Sequence, residues 1–188
     1  MNILMRLSLG IIPLLFCLGC SKESPTESTD NQQPFIKEKT YTNPQIGFIV
    51  TFPVDWTMQM DVPISDYTAS LYAEKEVPMS DNPVIALLTQ TMDAKPPMDI
   101  MLDNVAEQLP LMLENVTILD KKVIMLNGYE CGELTYSFTE AGILYKQKQL
   151  YYFNKTFIII IGYTAIPAIF EVYLNDFNTI QDSIILTE

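Results

Sequence analysis

Three cysteines, Cys17, Cys20 and Cys131, carry most of the reactive chemistry open to this chain of 188 residues. Histidine is absent. Without it there is no Ser-His-Asp or Cys-His nucleophilic pair, no His-ligated zinc and no His general base. No glycine-rich phosphate loop occurs, and beyond Arg6 there is no arginine to clamp a phosphate. Carboxylates are the remaining source of acid–base chemistry, with 23 Asp and Glu in all. Glu130 and Glu133 are separated by an odd number of strand positions, so they project to opposite faces and form no dyad by themselves. Glu114, Asp120 and Glu140 have no readable partner. The acids between Glu74 and Pro83 lack the alternating Asp/Asn ligands and central glycine of a Ca²⁺ loop, and they read as a solvated, proline-bearing loop. The sequence therefore assigns no catalytic residue, no cofactor and no metal site.

Cys20 is the one residue with a nameable reaction. Asn2 and Arg6 make a short polar start with one positive charge, and Leu7 to Leu18 is apolar but too short to span a bilayer as a helix. Gly19 then places a small residue directly before Cys20. The ending Leu15-Phe16-Cys17-Leu18-Gly19-Cys20 resembles the lipobox of bacterial lipoproteins, with Cys17 and Leu18 departing from its commonest residues. The resemblance implies cleavage between Gly19 and Cys20 and acylation of Cys20, palmitate being the typical chain. It also implies residues 1–19 as signal peptide and attachment to the cell envelope. Ser21 is not the Asp that retains many Gram-negative lipoproteins in the inner membrane, so the expected place is the outer membrane facing the periplasm. One acyl chain binds a membrane only marginally, so firm retention needs the several chains of a mature lipoprotein.

Charge agrees with an anchor rather than a basic surface. The formal net charge is −12, and loss of residues 1–19 removes Arg6 and no acid. Such a chain repels anionic headgroups and lacks the Lys/Arg footprint of a nucleic-acid binder. Removing Cys17 and acylating Cys20 leaves Cys131 alone, with no intramolecular disulfide available. Its neighbours in Tyr129-Glu130-Cys131-Gly132-Glu133 are carboxylates, which disfavour thiolate, and it reads as a small buried strand residue.

Residues 20–36 comprise the lipidated cysteine and a polar linker, Ser21 to Ile36, with no apolar period. A flexible segment of that length reaches roughly 20–25 Å on average. Residues 37–188 form the folded domain. Thr40-Tyr41-Thr42 and Gly47–Phe52 read as strands, the second ended by Pro53, and Trp56 reads as a core anchor whose N–H meets a backbone carbonyl. Ser70–Ala73 and Val84–Thr89 are further strands. Met98, Met101, Leu102, Val105, Leu109 and Met112 follow helical spacing, with a break or kink expected at Pro110.

The second half alternates strands and turns. Thr117–Leu126 and Tyr129–Phe138 flank Asn127-Gly128, a pair suited to a tight hairpin. Ala141-Gly142 and Asn154-Lys155 turn the chain again. On Ile143–Phe153, the residues Tyr145, Gln147, Gln149, Tyr151 and Phe153 share one face. Phe157–Thr164 is apolar on both faces and reads as a central strand. Pro167 opens a final helix with a stripe of Phe170, Tyr173, Phe177, Ile180 and Ile184. Short hairpins demand antiparallel pairing. The expected fold is thus α+β, a single antiparallel β-sheet of about six or seven strands packed with helices.

The order Tyr41…Gly47-Phe48…Phe52-Pro53…Trp56, then Leu126-Asn127-Gly128, then Tyr163-Thr164-Ala165…Phe170…Phe177…Ile180 resembles the PsbP-like (PsbP/DcrB) family. The likeness covers roughly Lys37 to Thr187. It implies an accessory, assembly or binding role rather than an enzyme. No histidine is present to match the metal-contacting histidines of the photosystem member. The functional expectation is a lipid-anchored, non-enzymatic envelope protein that binds another protein. The alternative is a carrier or sensor of a small apolar ligand, with Tyr145, Tyr151 and Phe153 lining its pocket. A carboxylate-dependent hydrolase is the third reading.

Overall fold

The computed structural model describes residues 38–64, 67–78 and 81–187. In chain order the elements are β1 (Glu38–Asn43), β2 (Phe48–Pro53), β3 (Thr57–Ile64), β4 (Tyr67–Glu74) and β5 (Val84–Thr91). Helix α1 (Met98–Met112) and strand β6 (Glu114–Leu126) follow. The chain ends with β7 (Tyr129–Glu140), β8 (Ile143–Asn154), β9 (Phe157–Ala165), helix α2 (Pro167–Asp182) and the short β10 (Ile185–Leu186).

Seven strands make one sheet in the order β3-β4-β5-β9-β8-β7-β6, and β1, β2 and β10 make a second, with β2 in the middle. All neighbours in both sheets run antiparallel. The apolar run of β9 explains its position: every residue from Ile158 to Ala165 is buried, and the strand lies fourth of seven. Tight turns fix the register around it. Asn127 and Gly128 have φ of 53° and 83°, and Ala141 and Gly142 have 49° and 80°. Positive φ at both central residues matches the twist of a two-residue hairpin.

Each face of the large sheet has its own core. On one, the β1-β2-β10 sheet and α2 bring Phe48, Val50, Phe52, Phe170, Phe177 and Ile180 against Trp56, Leu150, Tyr152 and Tyr163. On the other, α1 brings Met98, Met101, Leu102, Val105 and Leu109 against Leu134, Tyr136, Tyr151 and Ile160. Gly132 of β7 lets α1 approach: a Cβ there would lie 2.8 Å from Met98 Sδ and 3.0 Å from Leu102.

The fold is α+β as expected, but its strands form two sheets rather than one. Pro53 supplies no N–H to extend a ladder. The chain turns immediately after it, with Trp56 N–H donating to Pro53 O at 3.2 Å, and β3 then joins the other sheet. Strand β3 was not expected because its polar Thr57, Gln59 and Asp61 and its Pro63 dilute the signal; it is an edge strand, where proline is tolerated. Strand β6 starts at Glu114, three residues earlier than expected. Helix α1 does not break at Pro110 but runs to Met112. Pro110 is exposed and lies in the last turn, and Leu113 N–H still donates to Leu109 O at 2.9 Å. One missing bond near a terminus is tolerated where the rest of the helix is packed. The indole N–H of Trp56 reaches Asp176 Oδ2 at 3.3 Å, a carboxylate rather than the expected carbonyl.

Candidate functional site

Gly19 and Cys20, the expected cleavage and lipidation positions, lie outside the described residues. Among the described residues no helix is long and apolar enough to cross a membrane. Nor do the described residues contain a group of three or more His, Cys, Asp or Glu placed to hold a metal ion.

The row expected on one face of β8 is present, on the α1 side. Tyr145 and Tyr151 are buried, and Phe153 packs against the same core. Between them Gln147 and Gln149 are also buried, 0% and 1% exposed. Tyr136 O–H donates to Gln147 Oε1 at 2.6 Å, and Tyr151 O–H donates to Gln149 Oε1. Those bonds aim both amide nitrogens away from the tyrosines, and among the described residues neither nitrogen has a hydrogen-bond partner. Burial alone drives the Tyr151 phenol well above its ordinary range, so it stays a neutral donor.

The opposite face of β7 and β8 holds charge, fully paired. Glu133 is 5% exposed and accepts from Lys122 Nζ at 2.9 Å and Lys148 Nζ at 3.0 Å. Lys122 also bonds Asp120 at 2.7 Å, which holds the Asp120 carboxyl below its usual range. Glu130 and Glu133 do project apart, Glu130 to solvent. Cys131, beside Glu133, is buried with its thiol pushed up to about 11 by desolvation, which makes it an inert core residue. A second knot joins Lys75 to Asp55 at 2.6 Å and Asp176 at 2.8 Å. Burial opposes the Lys75 charge, but its bonds to Asp176 and Asp55 outweigh that and hold the ammonium above its ordinary range. The first knot ties β6, β7 and β8 together, and the second ties α2, through Asp176, to the sheet.

One corner of the surface is different. Where α1 runs into β6, the side chains of Leu111, Met112, Ile118, Leu119, Ile143 and Leu144 are all exposed, Leu111 to 76%. Register brings their backbones to one end of the sheet, with the adjacent Ile143 and Leu144 projecting to its two faces. Glu114 of β6 pairs with Thr139 of β7, which pairs with Leu144 of β8, so the α1–β6 junction and the β7–β8 turn meet at one end. Exposed Glu114 and the flanking Glu140 supply a polar rim. Strand β6 is also an edge, 13 residues long, with one side of its backbone unpaired among the described residues. Sequence reasoning missed this surface because the alternation of β6 reads as a strand with one buried face. The only signal available was that its apolar residues are interrupted by Asp120, Lys121 and Lys122.

A family model described as PsbP-like protein matches residues 18–185. The chain belongs to the PsbP-like family. Solved structures share its fold at low identity. Cyanobacterial PsbP (CyanoP) from Synechocystis sp. PCC 6803 matches with a TM-score of 0.62 and 10% identity, covering 85% of this chain and 98% of that one. LpqN of Mycobacterium tuberculosis, described as involved in cell envelope biogenesis, matches with a TM-score of 0.59 and 19% identity, covering 82% and 93%. PA94 of Pseudomonas aeruginosa, described as a protein of unknown function, matches with a TM-score of 0.59 and 10% identity, covering 80% and 98%. No curated protein matches this PsbP-like chain.

Proposed function

We propose that this PsbP-like protein is a lipid-anchored accessory protein of the bacterial envelope that works by binding another protein and not by catalysis. The exposed apolar corner at the α1–β6 junction carries the reading. Clustered, polar-rimmed apolar side chains mark protein contacts, whereas scattered ones do not. The free edge of β6 adds a row of backbone donors and acceptors onto which a partner's extended segment can pair. Its bulges and its Lys121 and Lys122 restrain indiscriminate edge pairing, which suits a selective surface. Acylated Cys20 and the polar stretch to Ile36 would hold this corner just off the membrane, most simply the outer membrane facing the periplasm. Support for the envelope comes from the lipobox-like ending and from the cell-envelope role of LpqN.

Two experiments test the two halves separately. Metabolic labelling with a palmitate analogue should mark the wild-type chain, while Cys20→Ser should lose the label and leave the membrane fraction or accumulate as precursor. Equal membrane retention of processed Cys20→Ser would overturn the anchor. For the partner, affinity purification from detergent-solubilised envelope should recover one protein in stoichiometric amount with wild type and lose it with Leu119→Asp. Recovery that is identical for both forms would overturn the assigned surface.

A further inference from the structure

We propose that the buried polar floor on the α1 side, formed by Gln147, Gln149 and Thr164, is a binding site for the carbonyl head of a small amphipathic molecule. This is independent of the docking corner. Strand β8 puts Gln147 and Gln149 two residues apart on one face, and β9 places Thr164 opposite Gln147. Each glutamine has spent its oxygen on a tyrosine hydroxyl, so its nitrogen is presented to the interior. Among the described residues both nitrogens and the Thr164 hydroxyl are without a partner, and the three residues are 0%, 1% and 3% exposed. A buried donor without an acceptor is costly, and leucine or valine in these places would carry no such cost. Three neighbouring instances on adjoining strands point to a shared acceptor.

The chemistry of the floor selects the head group. It offers amide N–H and hydroxyl groups and no cation. Lys146 and Lys148 project from the opposite face of β8, where they meet Glu171 and Glu133. An anion would be desolvated here without a counter-charge, so a neutral ester, amide or protonated carboxyl fits better than a carboxylate. The next positions in register beyond Gln149 are Gly162 and then Ala86, which keep side-chain bulk away from the amides. Val84, Leu134, Ile158 and Ile160 supply apolar surroundings for a chain. Access requires the packing over this face of β8 to loosen, and α1, which lies on the neighbouring β6 and β7, is the element best placed to give way. That helix has no side-chain N-cap bond, and it is tied to β6 by the exposed Asp103–Lys121 pair.

The test uses the full-length protein, ¹⁵N-labelled, titrated with monolauroylglycerol and, separately, with dodecane. The side-chain NH₂ signals of Gln147 and Gln149, assigned through Gln147→Met and Gln149→Met, should shift saturably with the ester while those of exposed Gln45 and Gln59 stay fixed. Gln149→Met should weaken ester binding about tenfold, the scale of one buried hydrogen bond. Dodecane, which has the chain without the carbonyl, should leave the NH₂ signals in place. Unmoved NH₂ signals under saturating ester, or equal shifts with dodecane, would overturn the proposal. If either variant fails to fold, triple-resonance spectra of the wild-type protein assign the NH₂ signals, and the two wild-type titrations decide it.

Discussion

The two faces of the seven-stranded sheet differ in how they treat charge. On the α2 side, charge is matched: Glu133 has two lysines, Lys75 has two aspartates, and the ring of Phe170 has Lys146 over it at 4.4 Å. Two turn asparagines clamp the C-terminal segment there. Asn127 Nδ2 donates to the carbonyls of Gln181, Asp182 and Ile184, and Asn154 Nδ2 donates to those of Ile46, Gly47 and Thr187. The α1 side is held by methionine- and leucine-rich packing, with unpartnered amides beneath it and an apolar corner beside it. The contrast separates a frame from a working side. Charged groups on the frame are paired, although Tyr152 Oη and Gln181 Oε1 are without a hydrogen-bond partner among the described residues there too; on the α1 side the unpartnered groups, Gln147, Gln149 and Thr164, lie together on adjoining strands.

Mutation should expose that difference. Trp56→Ala on the frame should cost about 3–5 kcal/mol, from a large fully buried ring and the lost bond to Asp176, read by urea unfolding. A comparable loss from Leu119→Asp, an exposed corner residue, would erase the distinction.

Alkali should attack the frame next. Desolvation pushes the folded Cys131 thiol up from the ordinary 9.0 to about 11. The native state thus binds its proton more tightly. Its contribution is fully present below pH 9 and is lost as pH rises through about 11, a change of about 2–3 kcal/mol. Over the same window Cys131 should resist alkylation until the protein unfolds. Rapid labelling of the native protein at pH 8 would contradict its placement.

Asn127→Gly keeps the positive φ of the turn and removes only the side-chain clamp, for an expected loss of about 1–3 kcal/mol by thermal or urea unfolding. The smallest effect belongs to the α1 side. Replacing Tyr136 and Gln147 together by Phe and Met removes a donor–acceptor pair along with an unpartnered amide, and should change stability by no more than about 1 kcal/mol, in either direction. A large loss would place those amides in the frame after all.

Much of this frame is legible in the sequence. The double-sided apolar run of β9, the Asn127-Gly128 turn and the Phe170–Phe177–Ile180 stripe are local patterns, and local patterns survive folding. The alternation of Tyr145, Gln147, Gln149, Tyr151 and Phe153 also placed one side of β8 correctly. What could not be read is tertiary. Whether β2 joins β3's sheet depends on a turn after Pro53, and whether Gln147 is buried depends on what packs over that face of β8. The exposure of β6 depends on no eighth strand pairing with it, and nothing in its own residues specifies that. The helix through Pro110 shows packing overriding a local preference.

In-cell photo-crosslinking tests the working side most directly. A photoreactive residue would be placed at Leu119, on the α1–β6 corner, or at Val172, an equally apolar and more exposed position on α2. The account predicts one dominant adduct of defined mass from Leu119 and none from Val172. The same adduct from both positions, or from Val172 alone, would contradict it.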